Sequence, residues 1–172
     1  MNQSLSTFIS LAAIAAITLF AAYALGIVGG ENITSVYHED YHDFIYSGDL
    51  ISGYFSGDGM MHFANNDYYR GHFAGGRFDG VGMFVFADGS VYTGDFAHGL
   101  PEGEGTYADE SGRIIYQGSF SAGQICGQGQ YFATEGWTYT GEFKQSLFDG
   151  EGSIMVGEEI IDGVWEKGVK SR

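Results

Sequence analysis

Tyr-x-Gly returns five times in this chain, at Tyr46, Tyr69, Tyr92, Tyr116 and Tyr139. The steps between copies are 23, 23, 24 and 23 residues, and Ile161-Asp162-Gly163 adds a degenerate sixth copy 22 residues later. Seven residues after each Tyr stands Gly53, Gly76, Gly99 or Gly123, with Ser146 in the fifth copy. Eleven and thirteen residues after each Tyr comes a pair: Gly57/Gly59, Gly80/Gly82, Gly103/Gly105, Gly127/Gly129 and Gly150/Gly152. A fixed period of this length marks a repeat architecture. Each unit is then one supersecondary element that buries its apolar side only against its neighbours.

One unit reads "YTGDFAHGLPEGEGTYADESGRII", residues 92–115. Strand side chains alternate between faces. Tyr92, Gly94 and Phe96 therefore share one face, and Thr93 and Asp95 the other. Gly103, Gly105 and Tyr107 repeat the arrangement, with Glu104 and Thr106 outward. The intervening "AHGLPE" reads as a turn, with glycine where a positive φ is needed. Each unit is thus a β-hairpin with one aromatic face. Its glycines leave room for rings to lie flat over the backbone. A second turn joins successive hairpins, at Asn66, Asp88-Gly89 and Gly136. Loops absorb insertions, so the extra residue of the 24-residue copy is expected near Ser111-Gly112-Arg113.

This pattern resembles the MORN repeat, which runs roughly Y-x-G-x-F-x-x-G-x-x-x-G-x-G and then a D-G turn. The resemblance covers residues 46–168. It implies an all-β fold, an elongated single-layer antiparallel meander of hairpins with an aromatic inner face. It also implies a membrane-association or protein-interaction module without catalytic residues or cofactors. Three rows line the inner face. They are the five Tyr, then Phe73, Phe96, Phe120, Phe143 and Trp165, then Met61, Phe84, Tyr107, Tyr131 and Ile154. Their first role is structural, and any ring left open marks a partner site. Phe143 and Trp165 end the stack. They are expected to contact a partner, together with Phe120, Tyr131 and Tyr139.

Residues 8–28, "FISLAAIAAITLFAAYALGIV", carry no charge. As a helix they span roughly 30 Å, the thickness of a bilayer core. One transmembrane α-helix is therefore expected ahead of the repeats. A cleaved signal peptide is the alternative, with Ala22-Tyr23-Ala24 as its cleavage site. Two features favour the anchor: no Lys or Arg precedes the run, and the run is longer than a signal core. Small residues four apart (Ala12 and Ala16, Ala22 and Gly26) allow close approach of another helix. With the terminal amine as the only nearby positive charge, the N-terminus is expected inside and the repeats on the non-cytoplasmic side. Asn32-Ile33-Thr34 is a glycosylation sequon if lumenal. The expected organisation is residues 1–7 as tail, 8–28 as membrane helix, 29–45 as linker and capping hairpin, 46–168 as repeats and 169–172 as tail.

The net charge of −15 excludes a nucleic-acid partner and argues against anionic lipid headgroups. Asp49, Asp95, Glu104, Glu142 and Glu151 take outward strand positions. They keep the surface soluble, and they also complement a basic protein partner. One cysteine, Cys126, excludes an intrachain disulfide.

His38-Glu39-Asp40-Tyr41-His42 reads H-E-x-x-H, a zinc-peptidase spacing when it lies on a helix. Here Tyr46 opens the first repeat strand four residues after His42, and His62, His72 and His98 fall in different repeats. Val36, Tyr37, Phe44 and Ile45 around a polar turn fit a capping hairpin better. No metal, cofactor or small-molecule substrate is inferred. The reading is a non-catalytic, single-pass membrane-anchored scaffold, or an accessory subunit of a larger membrane assembly, whose partners are other proteins. The alternatives are a lipid-associating repeat module and a secreted or periplasmic repeat protein left by signal cleavage.

Overall fold

The computed structural model describes residues 44–171. Twelve strands form one antiparallel sheet, each paired with the next in chain order. They are β1 (Phe44–Ile51), β2 (Tyr54–Phe63), β3 (Tyr68–Ala74), β4 (Arg77–Val85), β5 (Val91–Ala97) and β6 (Leu100–Ala108). The second half has β7 (Ile114–Ser121), β8 (Gln124–Phe132), β9 (Trp137–Lys144), β10 (Leu147–Val156), β11 (Glu159–Glu166) and β12 (Val169–Lys170). The expected membrane helix, His38, His42 and the start of the capping hairpin lie outside the described residues. Phe44 and Ile45 open β1. No helix among the described residues is long and apolar enough to cross a membrane.

The repeat is written into two kinds of turn. Within each hairpin, two consecutive residues take positive φ: Ser52 and Gly53, Gly75 and Gly76, His98 and Gly99, Ala122 and Gly123, Gln145 and Ser146. Two left-handed residues in a two-residue loop match the strand twist. Ser146 adopts the same backbone as its glycine counterparts, at φ 61°. The turn is shorter than "AHGLPE", because Leu100 and Pro101 already belong to β6. Between hairpins the first carbonyl of each turn accepts from the residue three on, as in Gly89 N to Phe86 O at 2.9 Å. The donating N–H comes from Asn66, Gly89, Gly112 or Gly136, each with positive φ.

The 24-residue copy corrects the sequence expectation. Asp109–Arg113 keeps the same hydrogen-bonded turn as its counterparts. The register shifts instead in the strand: Tyr107 pairs with Tyr116 and Ala108 with Ile114, leaving Ile115 as a bulge. A bulge takes one extra residue at the cost of local pairing. Ile115 is buried, so the insertion adds apolar contact to the core.

All five repeat tyrosines are wholly buried. Each ring lies along its strand over a cross-strand pair of glycines, such as Gly94 opposite Gly105. Each hydroxyl donates to the carbonyl three residues on: Asp49, His72, Asp95, Ser119 and Glu142, at 2.9–3.1 Å. Every Phe of the second row stands edge-on between two tyrosines. Phe96 lies 5.1 Å from Tyr92 and 5.2 Å from Tyr69 of the preceding repeat. Each such pair contributes about 0.5–1.5 kcal/mol beyond its burial. A fourth row escaped the sequence reading: Phe55, Phe78, Pro101, Ile125 and Phe148, all buried. Phe78 and Phe148 stack on Tyr69 and Tyr139 at 3.7 and 3.8 Å. The fold is held by nearest-neighbour contacts, as expected of a solenoid-like array.

Candidate interaction surface

The five rings expected to meet a partner are all interior. Tyr139 is 0 % exposed, Phe120 2 %, Phe143 and Trp165 3 %, and Tyr131 7 %. Phe143 stands between Tyr116 and Tyr139, both at 5.2 Å. Trp165 packs on Tyr139 at 5.1 Å, and the Lys170 ammonium of β12 lies 6.0 Å from its ring centre. The last short hairpin therefore covers the end of the stack. The inner face is filled by the chain's own rings, which leaves the outer face and the sheet edge open among the described residues.

The outer face carries a polar row in register. Thr93, Thr106, Gln117, Gln130, Thr140, Ser153 and Asp162 oppose one another across seven strands. Gln130 Nε2 donates to Thr140 Oγ1 at 3.1 Å, and Ser153 Oγ to Asp162 Oδ1 at 2.6 Å. Asp95, Glu104, Glu142 and Glu151 stand beside this row, Asp49 lies at the β1 end of the sheet, and all five are exposed, as their outward positions predict. Ser119 Oγ donates to Glu104 at 2.7 Å, and Ala122 N to Glu102 at 2.8 Å. A shallow open trough runs over Thr140, Glu142, Glu151, Ser153 and Asp162, and a smaller one over Thr93, Glu104, Thr106 and Gln117. Neither encloses a ligand, and both present carboxylates and hydroxyls to solvent.

Asp109 takes the hydroxyl and N–H of Ser111, at 2.5 and 3.0 Å, and the guanidinium of Arg113 at 3.1 Å. These bonds hold its carboxyl at about 2, with the Ser111 hydroxyl the largest cause. The group is tied to its turn rather than poised for catalysis. Burial raises the Cys126 thiol, and Glu102 and Glu104 push it the same way, so no thiolate is favoured. His72 Nδ1 lies 3.3 Å from Asp58, and the His62 ring stands 4.5 Å from Tyr68. Among the described residues no three His, Cys, Asp or Glu are placed to share a metal ion.

Sequence reasoning missed Asp67, which is buried at 4 % exposure. It accepts from Ala87 N of the following inter-hairpin turn at 2.8 Å and from Asn65 Nδ2 at 2.7 Å. The Ser90 side chain, buried at the same place one repeat later, donates to Asp88 at 2.6 Å. The signal was a polar residue two before each Tyr, in the first two linking turns.

The family model for the MORN repeat matches residues 69–91, 92–112, 116–137 and 139–154. The copy from Tyr46 is not among the matched segments, yet its strands continue the same sheet with the same Tyr-over-glycine contact. No curated protein matches the chain. MORN repeats are interaction modules for proteins or membranes. The four matched segments, the twelve-stranded meander and the repeated tyrosine seat together make the repeat region of this chain similar to the MORN repeat family.

Proposed function

We propose that the chain is a non-catalytic, membrane-anchored interaction module, a scaffold or accessory subunit that holds other proteins beside a bilayer. One observation carries this reading. The inner face is consumed by the chain's own rings, and the outer face carries a polar row across β5–β11 flanked by outward carboxylates. Such a surface complements a basic protein patch and steers its approach. The charge-free run 8–28 supplies the anchor, and its small residues allow packing against other membrane helices. The repeats then lie on the non-cytoplasmic side.

A lipid-associating module predicts Lys and Arg on one face, and the whole chain has seven. Co-sedimentation with phosphatidylserine vesicles tests the point. The repeat region stays in the supernatant if proteins are its partners. Strong salt-sensitive pelleting of that region contradicts the reading. A mature N-terminus near Leu25 removes the anchor and leaves a secreted repeat protein.

A further inference from the structure

The sheet ends in an edge that is only partly covered. β12 pairs with Trp165 and Glu166 of β11. Ser171 N then donates to Val164 O at 2.7 Å. Nothing among the described residues pairs with Glu159–Gly163 on that side. Backbone N–H and C=O groups of a residue in an antiparallel strand point the same way, and the direction alternates along the chain. The Val164 carbonyl faces the edge, so those of Asp162 and Ile160 face it too. Two N–H and two C=O groups are thus presented in line.

The side chains around this edge alternate in kind. On the outer face stand Ile160, Asp162 and Val164, at 64 % exposure for Ile160 and 38 % for Val164. On the inner face stand Glu159, Ile161 and then Gly163. Met155 and Val156 of β10 extend the apolar area, at 47 % and 49 % exposure. This is the densest run of exposed large apolar residues in the sheet. Natural edges are usually blunted by lysine, proline or a bulge. This one carries two acids and two isoleucines.

We infer that β11 takes an added strand from a partner protein, an extended segment with two adjacent aliphatic residues flanked on each side by a basic one. The inference rests on the interaction reading above and names the partner's chemistry. Backbone bonds to Ile160 and Asp162 supply the affinity, and the side chains supply the choice. Aliphatic residues meet Ile160 and Ile161. Lysine or arginine meets Glu159 and Asp162, since opposite charges across a strand pair are favourable. A second copy is the poorer occupant, because it brings a net charge of −15 and the same carboxylates to the contact.

The test uses the full chain in mild detergent and a peptide with blocked ends, Thr-Lys-Val-Val-Lys-Val, at millimolar concentration. Backbone amide exchange is read at Ile160 and Asp162. The peptide should slow both at least about tenfold, while its counterpart with glutamate at both lysines does nothing. Asp162→Pro removes an edge N–H and leaves the β10 backbone ladder in place, losing only the side-chain bond from Ser153, and should abolish the effect at Ile160. N-methylation of the peptide backbone gives the same loss with the protein unaltered, so a misfolded variant does not blunt the test. Unchanged exchange, or equal protection by the N-methylated peptide, overturns the inference. Protection that rises with chain concentration in the absence of peptide assigns the edge to a second copy and also overturns it. Companions cross-linked to the outer trough, with the edge amides still unprotected, would sink this inference and leave the broader reading standing.

Discussion

Tyr92 lies directly on Gly105. A Cβ at Gly105 would stand 2.5 Å from the phenol oxygen and 2.6 Å from a ring carbon. Gly82 stands to Tyr69 as Gly105 stands to Tyr92, with Cβ contacts of 2.5 and 2.7 Å. Glycine weakens a strand unless something else needs its missing side chain. Here the ring needs it. Replacing Gly105 by alanine forces the ring off the backbone and breaks the hydroxyl contact with Asp95. The expected loss is about 1–3 kcal/mol by urea denaturation. Thr106→Ala, one residue away on the outer face, should stay within about 0.5 kcal/mol. Equal effects at the two positions would remove the ring seat from the account.

The same tyrosines make the fold sensitive to alkali. Burial raises Tyr46 and Tyr139 from the ordinary 10.0 to about 12, and Tyr69, Tyr92 and Tyr116 rise in the same direction for the same cause. The folded chain therefore keeps protons that the unfolded chain releases. Stability is complete below pH 10 and falls as pH climbs through 10 toward 12. Tyrosinate absorbance and circular dichroism should change together in that window. Full ionisation near pH 10 with unaltered dichroism would contradict the burial.

Asp67 ties one linking turn to the next through Ala87 N. Asp67→Ala leaves that N–H without its acceptor, and should cost about 1–3 kcal/mol in a thermal or urea melt. Asp67→Asn keeps an oxygen in place and should recover most of the loss. A neutral Asp67→Ala would show that the turns are positioned by the rings alone.

Much of this was legible in the residues. The interval between Tyr46, Tyr69 and Tyr92 set the hairpin period, and Gly53, Gly76 and Gly99 marked the turns. Alternation placed Asp95 and Glu104 outward. The fourth row was not legible, because Pro101 and Ile125 share no residue type with Phe55, Phe78 and Phe148. Ile115 was hidden for another reason. Only the register shows that the turn at Asp109–Arg113 is held rigid by its own hydrogen bonds, which drives the insertion into the strand. The burial of Trp165 was not legible either, because Lys170, beyond the last recognisable motif, lies against its ring.

The hairpin turns leave room for improvement. Ala122 holds φ 48°, a conformation that costs an ordinary side chain about 1–2 kcal/mol and asparagine less. Ala122→Asn gives the Asn-Gly pair favoured in such turns, and should stabilise the chain by about 0.5–1 kcal/mol. A drop in the urea midpoint would mean that this turn is not left-handed at both positions.

The most direct test of the membrane-assembly reading is native electrophoresis of source membranes in mild detergent, with mass spectrometry of the band that holds this chain. The account predicts a large band shared with defined proteins, carrying basic surface segments and released when salt is raised. A small band containing this chain alone would contradict it. So would its absence from the membrane fraction.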